Sequence, residues 1–207
     1  MRISYAITVC NELEEIKRLL SFLKKNKRFE DEIIILFDGK KGTQEVLDYI
    51  LKFNKYPNIQ TWRSKFEGNF GAWKNKLNGY CTGDYILQLD ADEMVDKFFI
   101  DNLPELIEAN PDVQAYLVPR INTVEGLTEE HVKKWGWNVN DKGWINFPDF
   151  QRRLYKNIPQ IKWINRVHET LVGFQTWAPL PLVDNWCIKH PKDIKRQEEQ
   201  NNYYDTL

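Results

Sequence analysis

The order in which apolar runs change their period limits the possible folds of this chain more than any other feature. Residues 3–9 are β-rich and stop at Cys10-Asn11. Leu13, Ile16, Leu19, Leu20 and Leu23 then recur at helical spacing toward a lysine-rich end. Residues 33–37 form a continuous apolar run that breaks at Asp38-Gly39, and Val46, Leu47, Ile50 and Leu51 mark a second amphipathic helix. A strand at 59–62, a helix at 69–80, a strand at 85–89, a helix at 103–109 and a strand-like segment at 115–118 continue the alternation. Buried strands alternating with helices predict an α/β fold with a mainly parallel sheet, flanked by helices on both faces. Ligands of such sheets bind beyond the carboxyl ends of the strands. Asn11-Glu12, Asp38 and the acidic run at 90–93 all fall at such ends.

After Arg120 the alternation fails. Residues 121–150 are polar, aromatic and irregular, and six of the eight tryptophans (135, 137, 144, 163, 177 and 186) lie between 135 and 186. A short strand is expected at 185–187 and a last helix over 192–207, which suggests a catalytic piece of something longer. The 207 residues fit one domain, read as 1–120 and a less regular half, 121–207.

A net charge of −1 provides no global field toward nucleic acid, so nucleic-acid partners are not expected. Three widely spaced cysteines with no CxxC pair argue against a disulfide framework or a zinc site. The longest aliphatic run is residues 33–36, far too short to span a bilayer, and no apolar signal core follows Arg2. The expectation is a cytoplasmic protein without a transmembrane segment.

Chemistry concentrates at Asp90-Ala91-Asp92-Glu93. Alternate residues of an extended segment point the same way, so Asp90 and Asp92 can face one ligand. Two carboxylates there repel each other unless a cation answers them, and Mg²⁺ or Mn²⁺ accepts such oxygens together with phosphate oxygens. A solvated acidic turn is the ordinary alternative. Asn11 and Glu12 admit a second role as caps for the helix that begins at Leu13.

The neighbouring residues carry a resemblance that covers nearly the whole chain. Ile7-Thr8-Val9-Cys10-Asn11-Glu12, Asn69-Phe70-Gly71-Ala72-Trp73-Lys74-Asn75 and the stretch from Cys81-Thr82-Gly83-Asp84 to Asp90-Ala91-Asp92 resemble the family 2 glycosyltransferases of the GT-A fold. The second of these is similar to the family's N-x-G-x-x-x-N helix, with Lys74 where an arginine is usual. Phe37-Asp38-Gly39-Lys40 keeps one acid where the family carries two. Phe150-Gln151-Arg152-Arg153-Leu154-Tyr155 and the Trp163 to Glu169 stretch resemble a subgroup that includes lipopolysaccharide-core glucosyltransferases.

This resemblance implies a metal-dependent, inverting transfer of sugar from a nucleotide-sugar donor, a UDP-sugar by family frequency, to a glycan or glycolipid acceptor. Residues 1–120 become the donor half, with Thr8, Asn11, Glu12, Asp38 and Asp90 near the nucleotide and Arg63 within possible reach. Arg153 is a candidate for a two-pronged contact to the diphosphate, or else a strand arginine pairing with surface acids. Mn²⁺ or Mg²⁺ would sit on Asp92 and Asp90 with His190, whose bland alternative is a loop residue before Pro191. Glu169 matches the catalytic-base position, and His168 would orient it or line the pocket; an exposed His-Glu pair at a helix start is the alternative. Trp144 and Trp163 are acceptor-side candidates, since aromatic faces stack on sugars, although most tryptophans are core.

Three rivals remain. A phosphohydrolase using Asp90 as nucleophile predicts the D-x-D on the first strand, whereas here it follows the fourth. A nucleotidyltransferase predicts a Gly-rich basic loop where Cys10-Asn11-Glu12-Leu13 stands. A non-catalytic carbohydrate binder predicts sugar binding without nucleotide or metal.

Overall fold

The computed structural model describes residues 1–204. The first half follows the expected alternation: β1 (Ile3–Val9), α1 (Leu13–Asn26), β2 (Glu32–Asp38), α2 (Gln44–Leu51), β3 (Ile59–Ser64), α3 (Phe70–Asn78), β4 (Tyr85–Asp90) and α4 (Lys97–Ala109). The rest comprises β5 (Ala115–Glu125), α5 (Glu129–Trp135), β6 (Ile145–Lys156), β7 (Lys162–Ile164), β8 (Thr170–Val172), β9 (Trp177–Pro179), β10 (Ile188–Asp193) and α6 (Ile194–Tyr204). The main sheet runs β10-β5-β6-β4-β1-β2-β3, with β9 added beside β5. β3, β2, β1 and β4 are parallel, and β6 is antiparallel to both β4 and β5. The predicted mainly parallel sheet flanked by helices is the fold observed. No described helix is long and apolar enough to cross a membrane.

Successive side chains of β1 feed two cores. Ile3, Tyr5, Ile7 and Val9 pack with Ile16, Leu19 and Leu20 of α1 and with Phe99 and Leu103 of α4. Ala6 faces the other way, with Ile34, Leu36 and Ile86 under Trp73 and Leu77 of α3. Each fully buried aliphatic contributes about 1.5–3 kcal/mol, and the period of two assigns residues to layers.

The irregular half is more ordered than its composition suggests. β5 continues to Glu125 and β6 begins at Ile145, so both ends of 121–150 are strand, with α5 between them. These strands hide their pattern because β5–β6 pairing shifts register twice and many of their residues face a polar cleft instead of a core. Residues 184–186 form a 3₁₀ turn, and the strand expected at 185–187 comes just afterwards, as β10. The last helix starts two residues later than expected, and residues 205–207 of that expectation lie outside the described residues.

The amino ends of β1, β2 and β4 are tied together away from the cleft. Buried Glu32 accepts bonds from Ser4 Oγ (2.6 Å), Thr82 N (2.6 Å), Thr82 Oγ1 (2.9 Å) and Gly83 N (3.2 Å), and pairs with Arg2 (3.0 Å). Gly83 lies so close to β1 that a Cβ there would sit 2.7 Å from Ser4 Oγ and 2.8 Å from Ser4 N. Asp84 Oδ2 accepts from Arg2 N at 2.7 Å. The Thr-Gly-Asp part of the motif is thus structural. Glu32→Ala strands the buried Ser4 hydroxyl and the Thr82 amide, while Gly83 N keeps Ser4 Oγ at 2.9 Å, and urea unfolding should show a loss of about 3 kcal/mol.

Candidate active site

The cleft opens where β1 has β2 on one side and β4 on the other, beyond their carboxyl ends, with a volume of about 960 Å³. Thr8 of β1 stands opposite Asp90 of β4 in the ladder, and its hydroxyl donates to Asp90 Oδ1 at 2.8 Å. Residues 91–92 form a turn, closed by Glu93 N donating to Asp90 O at 2.9 Å, instead of the expected extended segment; Asp90 and Asp92 still both line the cleft, while Glu93 turns into the interior.

Their charges are answered by different partners. Arg153, on β6 and 3% exposed, places Nη2 2.6 Å from Asp90 Oδ2 and 2.9 Å from Glu93 Oε1. Glu93 Oε2 accepts from Asp90 N at 2.9 Å, and Arg120 of β5 reaches Glu93 (3.1 Å) and Asp149 (2.8 Å). Burial alone would raise the Asp90 carboxyl, but Arg153 and Lys74 hold it well below the carboxylate range. Arg153 Nε and Nη1 are buried without a hydrogen-bond partner. Arg153 lines the cleft, and its Nη2 is committed to two carboxylates, the acid pairing set out as the alternative to a diphosphate contact.

Asp92 is served from the last strand and helix. His190 Nε2 lies 3.4 Å and Arg196 Nη2 3.2 Å from Asp92 Oδ2. Asp149 Oδ2 accepts from the Asn122 amide at 2.9 Å, which turns Asn122 Oδ1 to the His190 Nδ1 at 2.8 Å. An amide oxygen only accepts, so Nδ1 carries the proton and Nε2 is the nitrogen offered to the cleft. The Asp92 carboxyl, which burial would push up, is drawn down to about 2 by His190 and Arg196.

The donor-side residues mostly line this cleft, but several are occupied with holding loops. Glu12 sits at the start of α1 without making a side-chain cap, contrary to the capping expectation. Its Oε2 turns back to Cys10 N (2.7 Å) and Asn11 N (3.0 Å), and Oε1 meets Arg196 at 3.4 Å. Asp38 Oδ1 accepts from Lys40 N and Phe66 N, and Oδ2 faces the Cys10 thiol at 3.9 Å. Asn11 lines the mouth. Arg63 is exposed and packs against Gly39 outside the cleft lining, because β3 is the edge strand.

The N-x-G-x-x-x-N helix clamps the loop that presents Glu169. Asn69 Oδ1 caps α3 by accepting from Ala72 N at 2.9 Å. A Cβ on Gly71 would sit 2.7 Å from Asn165 O, and Gly71 N and Phe70 N donate to the carbonyls of Asn165 and Arg166. The Asn75 amide donates to Trp163 O (2.7 Å) and accepts from Trp163 N (2.8 Å). Beyond this clamp the chain takes positive φ at Asn165 and His168, and no helix starts at the His-Glu pair; β8 follows instead. Glu169 Oε1 lies 2.6 Å from Lys74 Nζ, and both line the cleft with His168.

Two aromatic expectations are corrected. Trp163 is buried, donates from Nε1 to Tyr155 Oη at 2.9 Å and belongs to the core under α3. Trp144 packs against Phe147 and Lys142 and is not among the lining residues. Trp137, beside Trp135, and Trp73 of α3 are the tryptophans among the described residues that line the cleft.

The sequence pattern of "Glycosyl transferase family 2" spans residues 4–169, from β1 to Glu169. The chain belongs to this family. As a family 2 glycosyltransferase domain it is similar to the SPbeta prophage-derived glycosyltransferase SunS of Bacillus subtilis (strain 168), 23% identical over 188 residues. That match covers 91% of this chain and 39% of SunS, so the chain spans about two fifths of the curated relatives' length. Among solved structures, S. aureus TarS 1-349 in complex with UDP-GlcNAc superposes with TM-score 0.59 at 14% identity, covering 90% of this chain and 60% of that one. The mannosyltransferase PcManGT from Pyrobaculum calidifontis, in complex with GDP-Man and Mn²⁺, gives TM-score 0.50 at 17% identity, covering 57% and 35%. At these identities the likeness is one of GT-A fold.

Reading the family 2 motifs in sequence missed Glu93, Arg120, Asn122, Asp149 and Arg196. Glu93 and Asp149 stood beside recognised stretches; Arg120, Asn122 and Arg196 meet the site through β5 and α6, far away in the chain.

The acid chemistry of this glycosyltransferase cleft has a defined sign. Asp92 drops from 3.8 to about 2 on folding, and Asp90 and Asp149 are also lowered. Their stabilisation is complete above the ordinary carboxylate value and is lost as pH falls through the folded values. Glu12, raised mainly by burial, acts with opposite sign and offsets part of this. In chelator-treated protein, thermal unfolding should move down between about pH 4 and 2. Asp92→Asn should remove on the order of 2 kcal/mol of that dependence.

Proposed function

We propose that the domain moves a sugar from a nucleotide-diphosphate donor, a UDP-sugar, onto a hydroxyl of a glycan or glycolipid acceptor, with inversion at the anomeric carbon and with help from a divalent cation. The observation that carries this reading is one cleft holding Asp38, Asp90 and Asp92 at the strand ends and Glu169 on a loop clamped across from them. The TarS complexes with UDP and UDP-GlcNAc and the PcManGT complex with GDP-Man and Mn²⁺ support the donor class.

Asp92 and His190 fit a cation. Among the described residues no three His, Cys, Asp or Glu side chains form a metal cluster, so two protein donors would be completed by phosphate oxygens and water, as Mg²⁺ prefers. His190 also has the outer partner a metal-bound imidazole needs: Asn122 fixes Nδ1 and leaves Nε2 toward Asp92. Asp90, with both oxygens engaged by Thr8 and Arg153, is less available than Asp92. Mg²⁺ or Mn²⁺ on Asp92 and His190 would neutralise charge on the diphosphate as it departs.

The remaining steps belong to side chains. Thr8, Asn11 and Asp38 line the end of the cleft that receives the nucleoside, and Glu12 shapes the loop around it. Glu169 takes the acceptor hydroxyl's proton as that oxygen bonds to the anomeric carbon. The bond from that carbon to the diphosphate breaks, and its electron pair leaves on the phosphate oxygen. Alignment and fixed charge provide most of the acceleration.

Calorimetric titration with UDP should show binding that strengthens when Mn²⁺ is added. Asp92→Asn and His190→Ala should each abolish the strengthening while UDP alone still binds; metal-independent affinity throughout would refute the cation's role. A screen of nucleotide sugars for Mn²⁺-stimulated hydrolysis should select one donor. Glu169→Gln should then lower turnover by about 10²–10⁴-fold with UDP affinity intact, and near-normal turnover would remove Glu169 as base.

A further inference from the structure

Lys74 is a buried cation in the cleft that the proposed transfer leaves without a task. Its side chain is 4% exposed on the inner face of α3. Two contacts surround the ammonium: Glu169 Oε1 at 2.6 Å and the Trp163 ring, whose centroid is 4.7 Å away. A charge this far from water is costly unless a carboxylate answers it, so the pair forms wherever α3 and the Glu169 loop are both in place.

Glu169 needs such a partner. It follows a loop in which Asn165 and His168 take positive φ, and only at Thr170 does β8 resume regular backbone. No ladder or helix turn therefore sets its direction. The Asn75–Trp163 bonds and the close seat of Gly71 hold the loop's first residues against α3, one helical turn or less from Lys74. Backbone clamp and ion pair thus come from the same helix. The pair occupies Oε1 and leaves Oε2 as the carboxylate oxygen available to a hydroxyl.

We propose that Lys74 is the positioning residue of the reaction: by fixing Oε1 it presents Oε2 of Glu169 to the acceptor hydroxyl. This rests on Glu169 being the base. The competing role is direct contact with the donor's phosphates, since the ammonium lies in the same cleft and its charge reaches Asp90. The two roles separate kinetically. A positioning residue acts on turnover; a phosphate ligand acts on donor affinity.

The test uses the full chain, UDP with Mn²⁺ as the binding probe, and hydrolysis of the nucleotide sugar selected by the screen. Lys74→Met should lower kcat by about 100-fold, the scale of a misplaced reacting group, with KM and UDP affinity within about twofold of the parent. Lys74→Arg should recover most of that loss, and Lys74→Met placed on Glu169→Gln should add little further, because both act through one group. Unchanged kcat in Lys74→Met, or a loss confined to UDP affinity and KM, overturns the proposal. Should Lys74→Met not fold, Lys74→Arg and Lys74→Met/Glu169→Gln, which leaves no unpaired charge, carry the same comparison. Normal turnover in Glu169→Gln would instead remove the base assignment itself.

Discussion

The Arg153 guanidinium ties β6 to β4 at the cleft. Arg153 lies on the antiparallel strand β6, yet its Nη2 bonds Asp90 and Glu93 from the parallel strand β4. Removing Arg153 would leave Asp90 without its paired cation, at a cost of several kcal/mol, whereas Glu93 would keep Arg120. This makes β6 the partner β4 must have, and it explains how two carboxylates two residues apart coexist. Asp90 is neutralised from β6, and Asp92 from β10 and α6.

The sheet separates stability from chemistry along its strands. At the amino ends, Glu32 gathers Ser4, Thr82, Gly83 and Arg2 into a closed set of bonds. At the carboxyl ends, Thr8, Asp38, Asp90 and Asp92 line an open cleft. One run from Cys81 to Asp92 therefore contains two kinds of residue. Its Gly and first Asp serve close packing beside β1, and its last two Asp line the cleft.

The α3 helix links the two sides of the cleft. The backbone N–H groups of Phe70 and Gly71 and the second asparagine, Asn75, each bond the segment between Trp163 and Arg166. A motif that looks like a binding signature in sequence thus works as a clamp. Its only charged interior side chain, Lys74, meets Glu169, 95 residues further along the chain. Precision at Glu169 comes from a rigid helix instead of from the loop that carries it.

How much could be read in advance follows from these distances. The parallel strands and their helices were legible because each buries a face and so repeats with period 2 or 3.6; Thr8, Asp38, Asp90 and Asp92 were legible because turns at strand ends follow those periods directly. The later part of β5 and β6 escaped because they border a polar cleft and bulge, so burial no longer marks alternate residues. The tryptophans misled for a related reason: Trp163 and Trp144 have the same side chain as Trp137, and only packing decides which one faces the cleft. Sequence by itself determined the layers of the sheet and the edge where chemistry collects, since local periodicity encodes both. Tertiary structure alone decided which cation answers each carboxylate, because Arg153, His190, Arg196 and Lys74 reach their partners only after the strands and helices that carry them have docked.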